Sequence, residues 1–413
     1  MQELKYNLFN AYYEARKNKR NTHNQLRFEI DYEQKLWELY DDIRKGNYKV
    51  GKSIAFIIDE PVMREIFAAD FRDRIVHHLL FNYINSILEP QFIDDSYSCR
   101  KGKGTSWGIQ RAYEQMKEES CNFTKSIYVL KLDIQGYFMS INKKRLVEKL
   151  RLMISEEAFI LSRQLETNGN AGNDISFRSL FSLLEKVIYN DPIYNCVIKG
   201  RVSDWKELPD SKSLFKTSAN CGLPIGNLTS QLFSNVYLNS FDHYIKEFLK
   251  IESYGRYVDD FYIFHSSKEE LLGILVKCKS FLVKEGLILH PKKIYLQHYT
   301  KGFQFLGAYI KPHRIYIGQK TAKRFKSKTY HYQRTICQSE LCLREVKDIR
   351  TVLNSYLGIM SHYATYNLRL KALFRYPSCT FHKYGYFSRD LKKIIIYSDF
   401  LQGYLDDRDF AEK

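Results

Sequence analysis

Asp259 and Asp260 stand side by side between two short apolar, aromatic runs, Tyr254-Gly255-Arg256-Tyr257-Val258 before them and Phe261-Tyr262-Ile263-Phe264 after. That pattern predicts a β-hairpin with both carboxylates at its tip. Such a tip can hold two carboxylates toward one hard cation, and Asp oxygens are what Mg²⁺ takes. An Asp-Asp pair in a turn is more often merely solvated, so a further acid decides the matter. Ser126 to Leu132 reads as a buried strand, with Asp133 at its end and Ile134-Gln135-Gly136-Tyr137-Phe138 following. Three carboxylates from two strand ends can bridge two Mg²⁺ ions about 4 Å apart, the arrangement that clamps both oxygens of a phosphoryl transfer. Between the acids lies Gly222-Leu223-Pro224-Ile225-Gly226-Asn227-Leu228-Thr229-Ser230-Gln231, leading into a helical run from Leu232 to Tyr244. Exposed amides at a helix start suit contact with phosphate or with a substrate's backbone.

These elements need a large scaffold. The chain has 413 residues, enough to bury a sizeable core and to form two or three subdomains. Lys and Arg number 64 against 47 Asp and Glu, so net charge is +17, with 32 Tyr and 27 Phe. Such an excess suits a nucleic-acid groove with stacking surfaces, although basic excess also serves solubility. The eight Cys show no CxxC spacing, so they read as reduced thiols of an intracellular, cytoplasmic protein. No signal peptide and no long apolar run appears, which predicts neither export nor membrane spanning. The N-terminal segment reads as charged helices, interrupted by Arg16-Lys17-Asn18-Lys19-Arg20, a solvated face or an RNA contact. Thr167 to Asn173 reads as a polar inserted loop, and the stretch to Trp205 and Pro209 carries no chemical signature. Beyond residue 318, Lys320, Lys323, Arg324, Lys326, Lys328 and Arg334 interleave with Phe325, Tyr330 and Tyr332. This predicts a basic helix that meets phosphates or solvent. Asn354 to Leu370 reads as a helix packed on it, and the tail from Tyr376 as docked there.

In their order these motifs resemble those of a reverse transcriptase. Asp133 to Phe138 is similar to the family's first metal-binding motif, GLPIGNLTSQ to its template- and nucleotide-positioning motif, and YVDD to its second metal motif. Leu287 to Lys293 resembles the segment that supplies a lysine near the leaving pyrophosphate, and Phe305-Leu306-Gly307-Ala308-Tyr309 the primer grip. REIFAADFRDR, RKGKGT, Lys212-Ser213-Leu214-Phe215 and IGNLTSQ resemble the branch of diversity-generating retroelements and related antiphage defence enzymes. Most bacterial members carry Gln-Gly and Ser-Pro where this chain has Ile225-Gly226 and Ser230-Gln231.

The resemblance implies an α+β, right-hand polymerase fold with an antiparallel palm sheet and a helical thumb. It divides the chain into an N-terminal helical segment (1–49), fingers (50–120), palm (121–300), primer grip (301–318), and basic thumb with tail (319–413). It implies RNA-directed DNA synthesis, extending a DNA or RNA 3′ end on an RNA template with dNTPs. Asp133 and Asp259 would hold two Mg²⁺ ions, or Mn²⁺, with Asp260 and the Ile134 carbonyl completing the site. Lys293, or Lys292, would protonate pyrophosphate. Arg64 and Arg72 would bind the triphosphate, unless they pair with Glu65 or Asp73. Phe138 would lie under the sugar and exclude a 2′-hydroxyl, with Ile225, Gly226 and Gln231 lining the nucleotide site. Phe305, Leu306 and Gly307 would grip the primer. Arg100, Lys101, Lys103, Lys323, Arg324 and Lys326 would meet nucleic acid. His77-His78 reads as helix packing, and Cys99 as a buried small residue rather than an activated thiol. Expected partners are a noncoding or template-repeat RNA, the DNA product, and an accessory protein or second polymerase. Synthesis of untemplated or repetitive DNA in defence, an RNA-templated RNA polymerase, and a non-catalytic RNA-binding scaffold are the other readings.

Overall fold

The computed structural model describes residues 3–17, 22–60, 62–166, 175–376 and 381–400. The Asn18–Arg20 part of the basic run, the 167–173 loop and the end of the tail lie outside them. The chain divides into two compact units, Met1–Gly108 with Leu130–Leu296, and Ile109–Val129 with Gln297–Lys413.

The first unit opens with three helices, α1 (Glu3–Arg16), α2 (His23–Glu29) and α3 (Tyr32–Arg44). In α3, Leu36, Leu39, Tyr40 and Ile43 recur at helical spacing and are the buried face. Strands β1 (Ser53–Ile58) and β2 (Arg64–Ala68) pair antiparallel, and Ile54 faces Ala68. Helix α4 (Phe71–Leu88) begins where the Asp70 side chain accepts from the Arg72 amide at 3.0 Å. It carries the Leu79, Leu80, Tyr83 and Ile84 core on which α1 packs.

After α5 (Thr105–Glu119) comes β3 (Tyr128–Asp133), in which Leu130 and Leu132 are buried. A strand's two-residue period turns Lys131 and Asp133 to one face. Then follow α6 (Tyr137–Ser140), α7 (Lys143–Met153), α8 (Glu156–Glu166), α9 (Phe177–Tyr189) and β4 (Cys196–Ile198), which runs parallel to β1. Helix α10 (Leu228–His243) starts four residues earlier than the sequence pattern implies. Its first turn holds Thr229 and Ser230, which look like loop residues but are buried. Strands β5 (Tyr254–Tyr257) and β6 (Asp260–His265) form the expected antiparallel hairpin. After α11 (Lys268–Lys284) comes β7 (Tyr295–His298), and the sheet order is β5-β6-β3-β7.

In the second unit β8 (Phe303–Phe305), β9 (Ala308–Lys311) and β10 (Arg314–Ile317) make an antiparallel meander. Helices α12 (Gln319–Gln338), α13 (Leu343–Met360) and α14 (Tyr366–Leu373) follow, then the hairpin of β11 (Gly385–Phe387) and β12 (Ile394–Ile396). Phe325, Val346, Leu353, Leu357, Met360, Phe381 and Ile394 form their shared core. The helix expected over Asn354 to Leu370 is instead two helices. Thr365 Oγ1 donates to the Met360 carbonyl at 2.7 Å and closes a turn between them. Asn354 bonds both backbone groups of Ile394, at 3.1 and 2.7 Å, so this part of the tail docks on α13. Among the described residues six cysteines are free, but Cys337 is disulfide-bonded, against the expectation of thiols throughout. Among the described residues no helix is long and apolar enough to cross a membrane.

Candidate active site

The β5–β6 turn is built under constraint. Val258 takes φ 58°, a conformation that costs a β-branched residue. A buried brace holds it there. Arg256 is fully buried and forks onto Asp242 of α10, at 2.7 and 2.5 Å. A third guanidinium N–H donates to the Val258 carbonyl at 2.9 Å, and Tyr254 donates to the same Asp242 at 2.6 Å. A bidentate Arg–carboxylate pair is planar and directional, so it fixes the turn's orientation. Gly255 is required beside it, because a Cβ there would meet the Tyr262 hydroxyl at 2.5 Å.

This turn meets the end of β3. The Ile134 amide donates to the Asp259 carbonyl at 3.1 Å. The Gln135 amide donates to Ile288, and the His290 amide to the Asp133 carbonyl, each at 2.8 Å. Asp133, Asp259 and Asp260 are thereby brought within reach of one another's charge. Burial pushes the Asp259 carboxyl up to about 6, and the charges of Asp133 and Asp260 add to it. Burial also raises Asp260, opposed by Lys131. Lys131 pairs with Asp260 at 2.5 Å, and Lys293 with both Asp133 oxygens at 2.8 and 2.9 Å. Two ammonium groups thus balance three crowded acids. Among the described residues no group of three acidic, imidazole or thiol side chains is arranged to hold a metal ion, and Lys131 and Lys293 each pair with one of the acids. The donors themselves, all carboxylate oxygens, fit a hard divalent cation. Lys293 is half exposed, whereas Lys131 is 20% exposed, so Lys293 is the group freer to leave.

The Gly-containing loop is clamped on two sides. The Gly222 amide donates to Ile141 and the Leu223 amide to Phe138, both at 2.9 Å. The Phe67 amide of β2 donates to Ile225 at 2.9 Å, and Asn227 Oδ1 accepts from Ala69 at 3.2 Å. Gly226 has φ 123°, and a Cβ there would press on Ile66 and the Phe67 carbonyl. Phe138 and Ile225 pack against one cluster with Phe67, Met139 and Leu214.

Residues 61–310, more than half of the chain, match the reverse transcriptase (RNA-dependent DNA polymerase) family. The chain belongs to the reverse transcriptase family. By class it is an RNA-directed DNA polymerase, a nucleotidyltransferase. Protein YkfC of Escherichia coli (strain K12) is 23% identical over 306 residues, covering 65% of this chain and 69% of that protein. Apo telomerase from Candida Tropicalis is 14% identical with a TM-score of 0.46, covering 84% of this chain and 64% of that one. Its form truncated from the C-terminal domain is 13% identical with a TM-score of 0.43, covering 64% of this chain and 54% of that one.

Several residues of this reverse transcriptase stand otherwise than the sequence suggests. Arg72 pairs with Asp42 at 2.5 Å, not with Glu65 or Asp73, while Arg64 is exposed at the start of β2. Arg100 is turned inward. It bonds Glu89 at 2.7 Å and the Ile93 and Ser96 carbonyls at 2.5 and 3.0 Å, leaving its side chain 7% exposed. Lys103 pairs with Asp94 at 2.5 Å over the Trp107 ring. Both therefore brace their own loop, and Lys101 alone of the three is exposed without such a bond. Gln231 is exposed and accepts from Cys99 at 2.9 Å; burial pushes that thiol up to about 11, against an activated role. His77 is buried, at 2.7 Å from Thr229 Oγ1, and burial lowers it to about 3. Phe305 is buried, so only the Leu306-Gly307 turn, with φ 48° and 83°, is presented outward. Lys323 and Lys326 are exposed, and Arg324 is half-buried. Lys131, Asp242 and Arg256 were given no role by the sequence reading, and Glu65, named there as an arginine's partner, instead accepts from Trp205, Ser213 and Leu214. Only Lys131 had a signal, its two-residue offset from Asp133.

Proposed function

We propose that the chain extends a DNA or RNA 3′ end on an RNA template, with Asp133, Asp259 and Asp260 holding two Mg²⁺ ions. The observation that carries this reading is the bond from the Ile134 amide to the Asp259 carbonyl, which supports one acidic centre built from both motifs. When bound, the ions would lower the pKa of the primer 3′-hydroxyl and neutralise the triphosphate. The chain's own groups do the rest. Arg64 takes the triphosphate through its guanidinium fork. Lys293, half exposed beside Asp133, would give a proton to the departing pyrophosphate. Phe138 bars a 2′-hydroxyl, so DNA is the product. Arg256 and Asp242 keep the turn from yielding under charge.

The test is RNA-templated primer extension by purified Asp133→Ala, Asp259→Ala and Asp260→Ala proteins, with folding checked by thermal melting. Each should lose at least about a hundredfold in rate. Extension by Asp259→Ala near the wild-type rate would end this assignment. Ile225-Gly226 and Ser230-Gln231 support a place in the retroelement and antiphage defence branch. Sequencing the RNA that copurifies with the protein separates these settings, a template repeat favouring the first and a noncoding RNA without one the second.

A further inference from the structure

Glu65 lies on β2 and is fully buried, yet it serves neither the acids nor the loop described above. The strand's alternation turns Arg64 to solvent and Glu65 and Phe67 inward. Residues 202–217 supply three donors to the Glu65 carboxylate. Trp205 Nε1 donates at 2.7 Å and Ser213 Oγ at 2.9 Å to one oxygen, and the Leu214 amide at 2.5 Å to the other. Beyond this anchor the stretch touches both halves of the nucleotide site. A Cβ on Gly136, which has φ 56°, would collide with the Ser211 carbonyl. A Cβ on Gly222 would come within 2.5 Å of Leu214 Cδ1. Leu214 and Trp205 share the cluster that holds Phe138 and Ile225, and the Phe215 ring lies 5.4 Å from Phe67.

We propose that residues 202–217 form a strap that sets the positions of Phe138 and Ile225. Glu65 is the positioning residue that holds the strap closed, so nucleotide selection depends on a side chain that never touches the nucleotide. The claim rests on reading Phe138 and Ile225 as nucleotide-facing. A carboxylate is needed because all its partners are donors; an amide would set its NH₂ against one of them. A half-satisfied buried network loosens rather than re-forms.

Glu65→Gln and Trp205→Phe test this, beside Phe138→Ala as reference. Hydrogen exchange of residues 202–217 in the free protein reads the strap directly, without catalysis. Glu65→Gln should raise exchange there by about tenfold or more while the rest of the unit stays protected. In primer extension the kcat/KM preference for dNTP over rNTP should fall roughly tenfold, the scale of one methylene's room in a pocket. Misincorporation should rise with it, and kcat for the matched dNTP should change much less. Trp205→Phe, which loses one N–H and keeps a ring, should move all readouts the same way by less, and it carries the test if Glu65→Gln does not fold. Unchanged exchange in the strap overturns the proposal. Faster exchange with wild-type discrimination and error frequency overturns it equally. If Phe138→Ala leaves sugar discrimination intact, the reading of Phe138 has failed, and error frequency with strap exchange then decides the role of Glu65.

Discussion

A lysine placed two residues before a catalytic-type Asp shares its strand face, and here Lys131 uses that place to neutralise Asp260. Losing it would leave three crowded carboxylates with Lys293 alone. Lys131→Met should therefore bind Mn²⁺ about tenfold more tightly in the free protein, followed by electron paramagnetic resonance, because the site's net charge is more negative. The same variant should melt lower, by about 1 to 3 kcal/mol of lost stability, since a buried acceptor loses its partner. Extension should slow as Asp260 drifts. Mn²⁺ affinity equal to wild type would show that Lys131 is a bystander. At this scale the sequence was most legible where chemistry and spacing coincide: Lys293 pairs with Asp133, and the charges of Asp133 and Asp260 reach Asp259. It was least legible where a charged residue is spent inside the protein. Arg100 and Lys103 look like any basic loop, and nothing local says that Glu89 and Asp94 await them.

Elements carry their own titrations. Asp73 sits in the first turn of α4, buried, accepting from Tyr48 at 2.7 Å and from the Gly51 amide at 2.8 Å. Burial pushes it up to about 6 despite those bonds. The folded protein thus keeps a proton that the unfolded chain releases near 4. Its stabilisation is complete below pH 4 and is lost as pH rises through 6, on the order of 2 to 3 kcal/mol. His77, one turn along the same helix, works oppositely: lowered to about 3, it costs stability as pH falls below 6.5. The two trends mask each other in wild type, so the difference between wild type and Asp73→Asn isolates the acid. Chemical denaturation across pH 4 to 7 should show wild type gaining on the variant as pH falls. A constant difference would refute the shift. The nucleotide loop makes a second element-scale prediction. Ile225 holds β2 through its carbonyl, and its apolar side chain packs beside Phe138; on the proposed reading it would offer a nucleotide no hydrogen bond. Discrimination by hydrogen bond exceeds discrimination by shape, so Ile225→Gln should lower the error rate severalfold, above all opposite template adenine. Sequenced products from a defined RNA with no gain in accuracy would remove Ile225 from the argument. Hairpin β5–β6 and strand β3 were legible because alternation marks them. The start of α10 was not, because burial of Thr229 and Ser230 is decided by tertiary packing.

At the scale of the chain, charge is the property that sequence gives without a fold. Pairs such as Arg256–Asp242 and Arg100–Glu89 are neutral in sum and account for none of the net +17, which rests on the cations left over. Helix α12 differs. Its Phe325, Thr329 and Gln333 face the core, which turns Lys323, Lys326 and Lys328 to solvent. An exposed ammonium row of this kind releases counterions when it meets phosphates, and log affinity then falls linearly with log salt. Replacing Lys323, Arg324 and Lys326 by Ala should weaken RNA binding at low salt and flatten that slope by about two to three units, one per lost phosphate contact. Lys323 and Lys326 are exposed and Phe325 is retained, so any loss of stability should come from half-buried Arg324, and Lys323→Ala with Lys326→Ala alone should melt as wild type. Fluorescence anisotropy with a labelled RNA duplex from 50 to 300 mM KCl gives the slope. A slope equal to that of wild type would mean that α12 is a solvated face, and that the phosphates are met by cations elsewhere on the chain.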